Sequence, residues 1–157
     1  LMHPAALQFH LSLMLTHGQP VRIARVAARR LAALETLGPE AMDCVLSEMQ
    51  ERLALVVAPE RAARLGPGDY LVCLPEDDKT SLQMVEDLKR ELREPYPMIG
   101  ELPEIELQVA VARSPQDGAD VDALLRAADR ALGVDPMEGA CRRAPPMVEQ
   151  DTLRGAP

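Results

Sequence analysis

"RLGPGDYLVCLP", residues 64–75, is the stretch whose reading decides the fold. Two short apolar runs flank Gly66, Pro67, Gly68 and Asp69. Glycine reaches backbone conformations closed to other residues and proline presets its own φ, so this quartet is turn chemistry between two strands. The stretch predicts a β-hairpin with one carboxylate, Asp69, at its bend. Asp after Gly is ordinary in turns, and stabilising the bend is the plainest role for it. A metal-binding role is the sharper alternative.

Working outward from the hairpin, "PEAMDCVLSEMQERLALVV" (39–57) places Met42, Val45, Leu46, Met49 and Leu53 on one helical face, with Glu40 near the positive end of the helix dipole. Before it, residues 21–38 carry Ile23, Val26, Ala27, Arg30, Leu31 and Leu34 at spacings of three and four, which predicts another helix, ended by Gly38. Its arginines, Arg22, Arg25, Arg29 and Arg30, read as a solvated face, with an anion site or partner surface as the alternative. Earlier still, "LQFHLSLMLT" (7–16) sets Leu7, Phe9, Leu11, Leu13 and Leu15 at period two, the spacing of a first strand with one buried face. Downstream of the hairpin, 77–94 predicts a helix ended before Pro95, 105–114 alternates as a strand, and 119–133 gathers Leu124, Leu125, Ala128 and Leu132 on a short helix. Residues 134–157 lose periodicity and turn to Pro, Gly, Arg and Ala, as a tail or linker does.

The predicted order is strand, helix, helix, hairpin, helix, strand, helix. It points to an α/β (α+β) domain over residues 1–133, with an antiparallel-rich central sheet flanked by helices in a ferredoxin-like layout. A length of 157 residues suits one domain with a real core. The chain opens "LMHPAALQ" without an initiator Met, which suggests a piece of a longer protein.

Composition narrows the function classes. Seventeen Lys+Arg against twenty-five Asp+Glu give a net charge of -8, which argues against a general binder of phosphate backbones. Aromatic residues make up 2%, with no Trp, so base-stacking platforms have nothing to be built from. Cys44, Cys73 and Cys141 show no CxxC spacing, and His3, His10 and His17 share no ligand spacing, so neither a disulfide framework nor a metal centre is expected. The longest apolar runs are far short of the roughly 20 residues that cross a bilayer. A cytoplasmic location without membrane insertion is the expectation. No nucleophile triad, P-loop or dinucleotide glycine set occurs.

"AARLGPGDYLVCLP", with "ETLGPEAMDCVLSEMQERL" before it and "ELQVAVARSPQDGADVDALLRAADRAL" after it, resembles a degenerate GGDEF domain, the diguanylate cyclase-like family that joins two GTP molecules into cyclic di-GMP. The resemblance spans most of residues 7–133 and implies a nucleotidyl-cyclase palm-like fold. That chemistry requires two acidic side chains holding divalent metals beside a triphosphate. One acid ends the family's first strand; under the strand reading of 7–16 its neighbourhood offers Thr16 and His17. The other is the third letter of the signature, where Gly68 stands, with Asp69 on the fourth letter and Tyr70 on the Phe. The resemblance further puts Leu34 at a guanine-reading Asn and keeps the matching acid as Asp43. Pro136 and Ala140 stand at phosphate-gripping Lys and Arg positions, and Asp129 at a residue that supports packing. An inhibitory Arg-x-x-Asp would fall at 57–60 and lacks its Arg, while Arg61 and Arg64 lie nearby. The expectation is therefore a catalytically inactive regulatory or protein-interaction module without cofactor or metal. Its partners would be other domains of the same chain or a signalling protein, with a homodimer as a further expectation. The alternative is a receptor for cyclic di-GMP or GTP through Asp43, Arg61, Arg64 and Asp69. Residual cyclase activity ranks last.

Overall fold

The computed structural model describes residues 1–29, 31–94, 96 and 106–133. The proposed tail at 134–157, with Pro136, Ala140 and Cys141, lies outside the described residues, as do Arg30, Pro95 and residues 97–105. Four helices and four strands follow in the order α1 (Pro4–Thr16), β1 (Arg22–Arg29), α2 (Pro39–Val56), β2 (Ala62–Gly66), β3 (Asp69–Leu74), α3 (Asp78–Arg93), β4 (Glu106–Arg113) and α4 (Val121–Leu132), with a 3-10 segment at Leu31–Leu37. The strands form one antiparallel sheet in the order β2-β3-β1-β4.

Period-two alternation sorts the sheet into two layers. Ala24, Val26, Tyr70, Val72, Val109 and Val111 face one way, onto Val45, Met49 and Leu53 of α2 and Val85 and Leu88 of α3. Ile23, Ala27, Leu71, Cys73, Ala110 and Ala112 face the other, onto Leu7 and Leu11 of α1 and Leu124, Ala128 and Leu132 of α4. Met49 is core, and Met42 packs against the same layer.

Two expectations at the start of the chain are overturned. Residues 7–16 are not a strand but most of helix α1, and 21–38 is not a helix but strand β1 followed by the 3-10 segment. In α1, apolar side chains lie all round the helix, so the odd-numbered leucines imitate alternation. Leu7 and Leu11, one turn apart, are buried, whereas Phe9 between them is 65% exposed. Strand β1 sits between β3 and β4 with both faces covered, so it reads as a nearly continuous apolar run. Arginines at positions 22, 25 and 29 then lent it a helical rhythm.

Helix ends follow their caps. The Asp77 carboxylate accepts from the Thr80 N–H and hydroxyl, each at 2.7 Å, and these bonds hold its pKa below the ordinary carboxyl value. Gly133 closes α4 at φ 65°, in the left-handed region that favours glycine. At the end of α3, the buried Arg52 of α2 donates to the Glu91 carbonyl at 3.3 Å and to that of Glu94, and lies 4.2 Å over the Tyr96 ring. The Tyr96 hydroxyl donates to Leu92 O at 2.8 Å.

Two predictions follow from these placements. Leu11→Ala is expected to cost about 2–5 kcal/mol in urea unfolding, because it empties a buried site, whereas Phe9→Ala should stay within about 0.5 kcal/mol; equal costs would restore the strand reading. Burial pushes the Tyr96 phenol up to about 12. Its neutral form therefore favours the fold: the contribution is complete below the unfolded value near pH 10 and is lost as pH rises toward about 12. Tyr96→Phe should lose less stability than the wild type across that alkaline range, measured by urea midpoints.

Candidate functional site

The hairpin forms as its residues predict. Gly66 pairs with Asp69, leaving Pro67 and Gly68 as the two turn residues, proline first and glycine second at φ 67°. The register shifts between Arg64 and Gly66, so Leu65 is the extra residue of a bulge. The turn is anchored to the central strand as well as to its own arm, since the Ala28 N–H donates to Gly68 O at 2.8 Å. Tyr70, the signature's last letter, is buried beneath the turn, and desolvation there raises its phenol pKa.

Asp69 points to the α1/α4 side of the sheet and is not free. Arg25, opposite Leu71 on β1, reaches diagonally to it: Nη2 donates to Oδ1 at 2.9 Å and Oδ2 at 3.0 Å, and Nε to Oδ1 at 3.3 Å. Nη1 of the same guanidinium donates to Asp129 Oδ1 of α4. One buried arginine thus bridges two carboxylates, Asp69 from the bend and Asp129 from the last helix. Charge-assisted and bidentate, this is the strongest polar contact at the bend.

Arg22 and Arg29, two further members of the supposed helix face, are dispersed by the strand geometry. Arg22 pairs with Asp78 at the start of α3, and Arg29 donates to Gln108 Oε1 at 2.9 Å and to Leu132 O at 3.2 Å at the end of α4. They form neither a solvated helical face nor a shared anion site. The three histidines are exposed, and His3 caps α1 by accepting from the Ala5 N–H at 3.1 Å.

The other sequence-derived residues separate into two places. Asp43 and Arg64 line one open groove of about 560 Å³ between α2 and the β2 edge, together with Leu46, Ser47, Glu51 and Pro59. Both are exposed, and among the described residues neither has a hydrogen-bond or ion-pair partner. Arg61 does not line that groove. Its guanidinium donates to Cys73 O at 3.2 Å and Leu74 O at 3.4 Å, near the far end of β3. Burial raises the Cys73 thiol pKa. The structure therefore brings Asp43 to Arg64, and leaves Arg61 and Asp69 in surroundings of their own.

The reassigned strand also moves the place where a first acid would stand. The strand that runs to the turn is β1, not residues 7–16, and it ends Val26, Ala27, Ala28, Arg29. Thr16 and His17 belong to the end of α1 and the turn after it. At the turn itself position 68 has no side chain. A pair of divalent cations does not fit these groups: the single carboxylate at the bend already carries a bidentate guanidinium, and the adjoining strand end adds a positive charge instead of a second ligand.

Sequence reasoning named Arg25 only as part of an arginine face and missed its pairing with Asp69 and Asp129. Its partners lie 44 and 104 positions away, so no local spacing could reveal them.

No family model and no curated protein matches the chain. Solved structures do. The GGDEF domain of YfiN (TpbB) from Pseudomonas aeruginosa superposes with a TM-score of 0.73 at 21% identity, over 85% of this chain and 89% of that one. A sensory box/GGDEF family protein from Caulobacter crescentus gives 0.71 at 25% identity, over 88% and 95%. The diguanylate cyclase SiaD from Pseudomonas aeruginosa, solved in complex with its activator SiaC, gives 0.62 at 19% identity, over 81% and 53%. The fold is that of GGDEF domains.

Replacing Arg25 by Met is expected to destabilise the domain by about 1–3 kcal/mol in urea, since two half-exposed carboxylates lose their shared cation. Replacing either Asp69 or Asp129 by Asn should cost less than this. A neutral Arg25→Met would show that the bridge carries no stability.

Proposed function

With the GGDEF-domain fold as premise, we propose that this chain is a non-catalytic regulatory and protein-interaction module of a cyclic di-GMP signalling protein. One observation carries the reading: the bend's only acid is turned to the α4 side and neutralised by Arg25, while the strand end beside it offers Ala27 and Ala28. In-line transfer between two nucleotides needs cations to offset charge and to lower the attacking hydroxyl's pKa. Without carboxylates to seat them, the turn keeps its shape and lacks that chemistry. A retained fold with a discharged bend suits a domain that works through its surface. SiaD, bound to its activator, is a relative by fold that engages a protein partner.

A second reading has its own observation. Asp43 and Arg64, each without an internal partner among the described residues, share one groove. A free carboxylate and a free guanidinium at one opening can meet a purine edge and a phosphate of cyclic di-GMP or GTP. Arg61, tied to backbone carbonyls, contributes less to such a site than its sequence position suggests.

The experiments separate these readings. Incubation with GTP and magnesium or manganese is expected to yield no cyclic di-GMP, and conversion would overturn the non-catalytic reading. Calorimetry with cyclic di-GMP and with GTP is expected to be silent to millimolar ligand if the domain acts by docking alone. Micromolar binding that falls about tenfold or more in Arg64→Ala, a loss of at least 1.4 kcal/mol, would establish the receptor instead.

A further inference from the structure

The space beside the turn, and not only its ligand set, differs from what a cation site requires. A Cβ built on Gly68 would lie 2.8 Å from Leu31 Cδ1, 3.8 Å from Leu31 Cγ and 3.1 Å from Ala28 Cβ. The first separation is shorter than real Cβ atoms show, and the third is tight. Gly68 is buried, and Ala28 and Leu31 both pack against the α2/α3 layer of the core. Below this contact the Ala28 N–H closes onto Gly68 O at 2.8 Å. Two apolar side chains, Leu31 and Ala28, and one backbone bond therefore fill the corner where any side chain at position 68 would project. A charged group entering it would displace a leucine methyl and lose its hydration against apolar neighbours.

We propose that Leu31 is a seal: its side chain closes the corner between the turn and the end of β1 against any side chain or ligand that would enter at position 68. A ligand of this domain then binds away from that corner, and the open groove of Asp43 and Arg64 is one such place among the described residues. This deepens the non-catalytic reading, yet it concerns space alone. It is tested through stability and amide exchange, so either idea can fail without the other.

The decisive measurement is a double-mutant cycle on the full chain, read as unfolding equilibrium constants in urea, with Leu31→Ala, Gly68→Asn and their combination. Asparagine tolerates a positive φ better than other side chains, so Gly68→Asn reports the clash more than backbone strain. The seal predicts that Leu31→Ala weakens the wild type but relieves the Gly68→Asn background, with a coupling of about fivefold or more. Additive effects would overturn it. Should Gly68→Asn fail to fold, recovery of folding in the double variant supports the seal, and failure of both overturns it. A second readout uses Leu31→Ala alone: the Ala28 amide should exchange about tenfold faster while the Val109 and Leu71 amides keep their protection. An unchanged Ala28 amide would show that Leu31 does not close the corner.

Discussion

Strand β1 holds the molecule together because it is hydrogen-bonded on both sides and covered on both faces. Six of its residues pair with β3 and eight with β4, so the hairpin reaches the rest of the sheet only through it. Its alternating side chains supply both core layers, Ala24 and Val26 to one and Ile23 and Ala27 to the other. The polar architecture depends on the same strand. Arg25 lies in the α1/α4 layer between Ile23 and Ala27, which is why its guanidinium can reach the bend and the last helix at once. At the strand's end, the Ala28 amide holds the turn.

The electrostatics of the bend follow from this placement. A carboxylate projecting from a two-residue turn is ordinarily solvated and available. Here Asp69 is held by a buried cation that also binds Asp129, and the three charges form one partly exposed group. Desolvating a guanidinium is costly, and two anions offset that cost where one would do so incompletely. The bend has thereby become part of the packing of α4. Asp129, expected to support packing, does so through charge.

Legibility in the sequence tracked the range of the forces involved. The hairpin, α2, α3, β4 and α4 were readable because local signals fixed each one: Gly-Pro-Gly-Asp for the turn, apolar spacing of three and four for α2 and α4, Pro95 beyond α3 and alternation for β4. The first 38 residues were misread because their determinants are not local. An apolar helix such as α1 loses its 3.6-residue contrast, and a central strand loses its alternation when both faces are buried. That exchange of helix and strand also misplaced the first-acid position. The arginine rhythm at 22, 25 and 29 was real, but its three members find partners on four elements, α3, β3, β4 and α4. Similarly, nothing near Gly68 in the chain announces Leu31, which meets it only after β1 has been laid beside the hairpin.

Arg52 has a mechanical meaning. Rooted in α2 beside Glu48, its guanidinium grips the last carbonyls of α3 and rests on Tyr96. Such a rivet ties the end of α3 to α2 while both helices lie on the same face of the sheet, so the α2 rim of the groove is braced from behind by a second helix.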